Sequence, residues 1–390
     1  MPDTIAACSS GSMPCGIAVL RLSGPKALAI TDGLFFPRTG GPLSTREPRK
    51  LIYGRLLARD GALLDLCLAC RYSPKHSYTG EDLVEFFTHG SQAVAAGLLD
   101  TPRIFGAGKI ITQIGGHGDS YQKLTLEASK QAYTPSYIVN GVDEMRWACR
   151  VNARNGADLI KIMTTGGVFS QGDRATPHSH FSQEEIRAAV EEADNMGSYV
   201  TTHAQANRGI KLALKNGVKC IEHGFYLDEE CVELMVKNDC WLVPTLSIMH
   251  TSKLYFENRP GVLPYLKEKT LLSYEAHYRS LEMARKAGVK IGMGCDFLGD
   301  ADFGCSYDKA NMEFERMHAA GFTPLEIITM ATKINSQLLL MDKELGTLET
   351  GKLADVILVQ GDVSRDILKI RDKNNVKLVI QDGRIVKNIL

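Results

Sequence analysis

Four residues stand out for the chemistry they can do: Lys161 in ADLIKIMTTGG, His203 in YVTTHAQ, His223 in CIEHG and Asp296 in IGMGCD. Each sits at or near the end of a short apolar run that reads as a buried strand. In a parallel barrel those strand ends are where side chains converge on an active site. Imidazole and carboxylate are good ligands for zinc and similar divalent ions. An ammonium group is not; Lys161 becomes a ligand only if its amine is carbamylated into an anionic oxygen donor. Each residue alone has an ordinary reading: a hydrogen-bonded core histidine, a salt-bridged lysine, an aspartate capping the next helix. Four of them at successive strand ends outweigh those readings.

The elements that must position these residues begin at about residue 103, where short apolar strands start to alternate with amphipathic helices. RIFGAGKIIT leads to a helix near 140–155, DLIKIMTTGG to 183–196, SYVTTHAQ to 206–216 and KCIEHG to 228–238. WLVPTLS leads to 265–287 and KIGMGCD to 308–320. Ser182 and Glu185 form a capping box at one helix start. Such alternation, with strands apolar throughout, means a parallel sheet covered by helices. Six units favour a (β/α) barrel over an open sheet. The tail returns to strands around an Asp382-Gly383 turn. The first hundred residues are different. GIAVLRLSG is a strand, Pro25 starts a short helix over Lys26–Thr31, and Asp60-Gly61 marks a hairpin. EDLVEFFTHG is a further strand, and Ser91–Leu99 a further helix.

Composition narrows the class. The 390 residues carry 45 Lys+Arg and 45 Asp+Glu, so no basic excess points to nucleic acid or an anionic membrane. No apolar run reaches the roughly 18 residues of a membrane span, and MPDTIAACSS does not read as a signal peptide. The ten cysteines have no framework spacing, and the lone Cys67-x-x-Cys70 lies in an apolar run that reads as a core strand. A reduced, cytoplasmic protein is expected.

ADLIKIMTTGG, VTTHAQ, IEHG, GMGCD and the closing ATKINSQLLLMDKELGTLETGKLADVILV together resemble the amidohydrolase superfamily. The resemblance runs from about Gly97 to Leu390 and is nearest to the imidazolonepropionase-like and Xaa-Pro or Xaa-Arg dipeptidase group. It implies a carbamylated Lys161 bridging zinc or similar ions, one or two in number. It also implies that His203 and His223 hold one ion, and that Asp296 contacts the other and shuttles the proton. His117, in a GGHGD segment that resembles the same group, lies by this likeness near the substrate carbonyl or carboxylate; its glycines also suit a plain loop. The implied reaction is hydrolysis of C–N bonds in small amides, dipeptides or cyclic amides. The ion acidifies water, and Asp296 passes the proton to the leaving nitrogen.

One part of the family pattern is missing. Family members open the barrel with a strand ending in His-x-His and then a second strand, and neither is found here. His178/His180 in GDRATPHSHFS lies in a polar loop and does not replace them. The expected fold is therefore α/β, an incomplete TIM-type (β/α) barrel over residues 99–345. A small α+β domain precedes it over 1–98, and a β-sandwich remnant follows over 346–390. Impaired hydrolysis and a homo-oligomer formed through the unfilled edge are expected.

Residues 4–97 resemble the N-terminal domain of the tRNA-modification GTPases (the MnmE/TrmE family) through DTIAA, GIAVLRLSGPKAL, YGRLLARDGALLD and SYTGEDLVEFFTHGS. That likeness implies dimerisation and binding of a folate one-carbon donor, although SSGSMPCG departs from the family's glycine-and-arginine approach to the first strand. No GxxxxGK[ST] loop occurs, which excludes GTP hydrolysis by that mechanism. The only histidines of residues 1–100 are His76 and His89, too far apart in sequence to act as a His-x-His pair. The alternative to a hydrolase is a non-enzymatic folate-binding or dimerisation module related to tRNA modification, or a fusion without joint function.

Overall fold

The computed structural model describes residues 4–8, 15–58, 61–90, 103–119, 125–131, 135–168, 179–297, 299 and 303–390. The chain divides into two compact units, Met1–Arg103 and Ile104–Leu390.

In the first unit the strands are β1 (Ile5–Cys8), β2 (Cys15–Ser23), β3 (Phe35–Pro37), β4 (Leu51–Leu57), β5 (Leu63–Tyr72) and β6 (Leu83–Gly90). They form one antiparallel sheet in the order β1-β2-β6-β5-β4-β3. The hairpin between β4 and β5 forms where Asp60-Gly61 predicts it, and Gly61 takes a φ of +86°. The helix after Pro25 runs over Ala27–Leu34. Leu20, Phe35, Leu56, Cys67, Val84 and Phe86 make the core. Burial pushes the Cys67 thiol up to about 12, so this cysteine packs as an apolar residue. The helix expected over Ser91–Leu99 lies outside the described residues.

The second unit is built on seven parallel strands: β7 (Ile110–Gln113), β8 (Ser136–Val139), β9 (Ile160–Met163), β10 (Val200–Ala206), β11 (Cys220–Tyr226), β12 (Trp241–Val243) and β13 (Lys290–Ile291). Their order is β8-β7-β9-β10-β11-β12-β13. Helices including Val142–Arg154, Gln183–Asn195, Asn207–Lys215 and Glu229–Lys237 connect them. Apolar side chains from these helices and from the strands, such as Ile160, Ile162, Ile186, Ile210 and Ile221, form one continuous core. Among the described residues β8 and β13 each pair on one side only. The fold is α/β, an incomplete (β/α) barrel, as the missing motif implied.

Several elements escaped the sequence reading. The strand β8 and the short helix Leu126–Gln131 precede the helix near 140–155. SYIV is only four residues long and lies between Pro135 and Asn140-Gly141, so its period is too short to read. A helix over Leu246–Asn258 also intervenes before Pro264–Lys286. The capping box of Ser182 with Glu185 is formed, Glu185 N–H donating to Ser182 Oγ at 3.3 Å.

The tail forms a three-stranded sheet of β14 (Val356–Val359), β15 (Val376–Gln381) and β16 (Arg384–Asn388). Asp382 and Gly383 both have positive φ in the turn, the conformation tight hairpins need. Among the described residues no helix is long and apolar enough to cross a membrane.

Candidate active site

The strands β9, β10 and β11 run in register. Lys161 lies beside Thr201, and Thr201 beside Cys220; two residues on, His203 lies beside Glu222. Parallel neighbours share a face, so Lys161, Thr201, His203 and Glu222 point the same way. Glu222 accepts a hydrogen bond from Thr201 Oγ1 at 2.8 Å and forms an ion pair with Lys161 Nζ. Strict alternation would then turn His223 to the other face. Instead His223 has a φ of +75° and Gly224 one of +62°, and the register shifts along this stretch. This bulge re-aims the His223 ring, which packs edge-on against His203 with ring centroids 4.6 Å apart.

His117 completes a row of three imidazoles. It stacks on His203 at 4.1 Å, with 23° between the planes. Gly167, from the MTTGG segment, lies against it; a Cβ there would come within 2.5 Å of His117 Cε1. His203 Nε2 meets the Gly166 carbonyl at 3.1 Å. Since a carbonyl only accepts, Nε2 carries the proton and Nδ1 the lone pair. His223 Nδ1 meets Thr245 Oγ1 at 2.7 Å.

Burial, reinforced by the neighbouring imidazoles and Lys161, holds His203 well below the usual histidine range, and His223 likewise. Both are therefore neutral near pH 7. Asp296 lies beyond the end of β13 with a φ of +55°. Its side chain is reached by solvent yet surrounded by protein. Burial raises its pKa, and the Lys161 ammonium lowers it in part. Burial likewise lowers the pKa of Lys161, opposed by Asp296.

Neutral imidazole nitrogens and a carboxylate are the right donors for a zinc-type divalent ion. His203, His223 and Asp296 carry donors of that kind. Among the described residues no three His, Cys, Asp or Glu side chains form a ready-made metal cluster. Of the residues singled out in the sequence, His117, His203 and His223 are brought into ring contact. Lys161 and Asp296 interact electrostatically beside them. His178 lies outside the described residues, and His180 is buried. In the first unit, His89 Nδ1 pairs with Asp65 at 2.7 Å and His76 Nδ1 meets Ser73 Oγ at 3.0 Å.

Glu222, Thr245, His277 and Glu313 were not legible in the sequence as site residues. Glu222 adjoins His223 in the IEHG motif, which was the one available signal. His277 is buried against Phe225, its ring 4.3 Å away. It lies near the backbone of Pro244 and His223 without a well-formed hydrogen bond.

The fold and the strand-end histidines define a (β/α)-barrel hydrolase architecture. Residues 76–386 match the model of the amidohydrolase family, and the chain belongs to that family. It is 31% identical over 336 residues to an ochratoxinase of Aspergillus niger, covering 83% of this chain and 68% of that protein. A solved Xaa-Pro dipeptidase with bound methionine in its active site is 33% identical, with a TM-score of 0.68 over 76% of this chain and 71% of that one. The solved A. niger ochratoxinase is 30% identical, with a TM-score of 0.67 over 76% and 69%. Residues 4–111 match the model of the GTP-binding protein TrmE N-terminus. The tRNA modification GTPase MnmE of Bartonella quintana (strain Toulouse) is 47% identical over 98 residues, which are 25% of this chain and only 21% of that protein. The chain is thus an amidohydrolase-family member with a TrmE-like N-terminal segment.

Proposed function

We propose that the chain hydrolyses a C–N bond in a small amide, dipeptide or cyclic amide, using one divalent cation, zinc by preference. The observation that carries this reading is the contact between two neutral imidazoles, His203 and His223, with Asp296 close enough to interact with Lys161. The ochratoxinase and Xaa-Pro dipeptidase relatives support the substrate class. His203, His223 and Asp296 would hold the cation, which would supply Lewis acidity. Asp296 takes the proton of the attacking water and returns it to the leaving nitrogen. His117 orients the substrate carbonyl or carboxylate. The Lys161 ammonium is tied to Glu222, and a carbamate at Lys161 would have to break that pair.

The proposed division places an α+β domain at 1–98, the barrel at 99–345 and the sandwich remnant at 346–390. The protein is proposed to act in the cytoplasm as a homo-oligomer. The test is elemental analysis after dialysis, together with turnover of a panel of dipeptides and N-acyl amino acids. At most one tightly held ion per chain and measurable hydrolysis are expected. Two equivalents would mean that other residues replace the missing His-x-His. A metal-free, inactive protein would favour the second reading, a dimerisation or folate-binding module, which the match over residues 4–111 supports.

A further inference from the structure

The helix over Leu246–Asn258 starts directly beside His223. A helix leaves its first backbone N–H groups without partners inside the helix. A threonine at the N-cap ordinarily satisfies one of them with its own hydroxyl. Thr245 holds the N-cap position here but makes no such bond, and its φ is +55°. For a β-branched residue that conformation is an outlier, with a cost of order 1–3 kcal/mol that the surroundings must offset.

The cap comes from elsewhere. Glu313, on the helix Met312–Ala319, is buried at 1% exposure. Its Oε1 accepts the Leu246 N–H at 2.9 Å and its Oε2 accepts the Ser247 N–H at 2.8 Å. Both oxygens are thus committed to the helix start. The Ser247 N–H therefore does not need the Thr245 hydroxyl, which lies 2.7 Å from His223 Nδ1. The ring is itself buried, at 3% exposure.

We propose that Glu313 is a positioning residue for His223. By capping the helix in place of Thr245, it frees the Thr245 hydroxyl to accept the His223 Nδ1–H. That bond fixes the ring tautomer and leaves the Nε2 lone pair for the site. The proposal rests on the reading of His223 as a cation ligand only for its consequence; the positioning itself is a property of the cation-free protein. Glu313→Gln removes one of the two acceptors and puts an amide N–H₂ against a helix N–H. Thr245 then gains by relaxing to the extended region and capping its own helix, and His223 loses its partner.

The test uses the full chain in two states. In chelator-treated protein, long-range ¹H–¹⁵N spectra of the His223 ring, assigned with His223→Gln, report its tautomer. The wild type is expected to show one tautomer protonated at Nδ1. Glu313→Gln and Thr245→Val are expected to show a mixture, and Thr245→Ser to behave as wild type. Zinc affinity, measured by competition with a chromophoric chelator, should fall 10- to 100-fold in both altered variants. The double variant should be no worse than either single one, because the two act through one bond. Unchanged His223 shifts in a folded Glu313→Gln protein would overturn the proposal, as would additive losses. If Glu313→Gln does not fold, Glu313→Asp, which is one methylene shorter, is read in the same way. If the wild type binds no zinc, the hydrolase reading fails while the tautomer measurement still decides the positioning.

Discussion

Asp296 lies within electrostatic reach of Lys161, and it is the carboxylate we propose to carry the proton from water to the leaving nitrogen. Asp296→Asn keeps the size and removes the basicity, so it should lower kcat by about 10²-fold or more on whichever panel substrate is turned over. Full retention of rate would remove Asp296 from the mechanism. His277 makes a different prediction, about stability. Burial lowers its pKa from 6.5 to about 3, so the unfolded chain binds a proton that the folded one does not. Its contribution is complete above pH 6.5 and is lost as the pH falls toward 3. Between those limits stability should drop by about 1.4 kcal/mol per pH unit on its account. Urea unfolding of His277→Leu, compared with wild type from pH 7 to 4, should show a slope shallower by that amount. Parallel slopes would show that His277 is not held neutral.

At the scale of elements, two backbone irregularities build the site. The positive φ values at His223 and Gly224 turn one imidazole onto the face of its neighbour. The MTTGG segment after β9 brings Gly167 flat against His117. A methyl group there would overlap the ring, which would have to leave its stack on His203. Gly167→Ala should therefore fold with a melting temperature near wild type while kcat/KM falls by about tenfold to a hundredfold, since small displacements of a positioning group are costly. Wild-type kinetics in this variant would show that His117 does not orient substrate.

At the scale of the whole chain, the governing feature is a parallel sheet with two ends. Parallel sheets are ordinarily covered on both faces, and barrels close to abolish their edges. Here β8 and β13 each have one paired side among the described residues. Unpaired strand edges are templates for another chain. Sedimentation of the purified protein should show a concentration-dependent oligomer, and a strict monomer at tens of micromolar would dismiss the edge as an interface.

The sequence by itself determined the class. Apolar strands alternating with helices required a covered parallel sheet, and His203 and His223 could be placed because each lies in a run whose burial is obvious. The absence of His-x-His foretold the incomplete barrel. The sequence also located the hairpin at Asp60-Gly61 and the cap at Ser182, because turn and cap preferences act over a few residues. β8 was hidden because four residues carry too little periodicity. The roles of Glu222, Thr245 and Glu313 were hidden for a stronger reason. Glu222 looks like an ordinary neighbour of His223 until the sheet sets it beside His203 and its carboxylate reaches Lys161, 61 residues away. Glu313 looks like a surface acid on an amphipathic helix until packing sets it on backbone N–H groups 66 and 67 residues earlier. Left-handed φ values occur at His223, Thr245 and Asp296, and the one at Thr245 is an outlier for a β-branched residue. They persist only where packing and hydrogen bonds from distant segments offset the strain, so only the tertiary structure could decide where these side chains point.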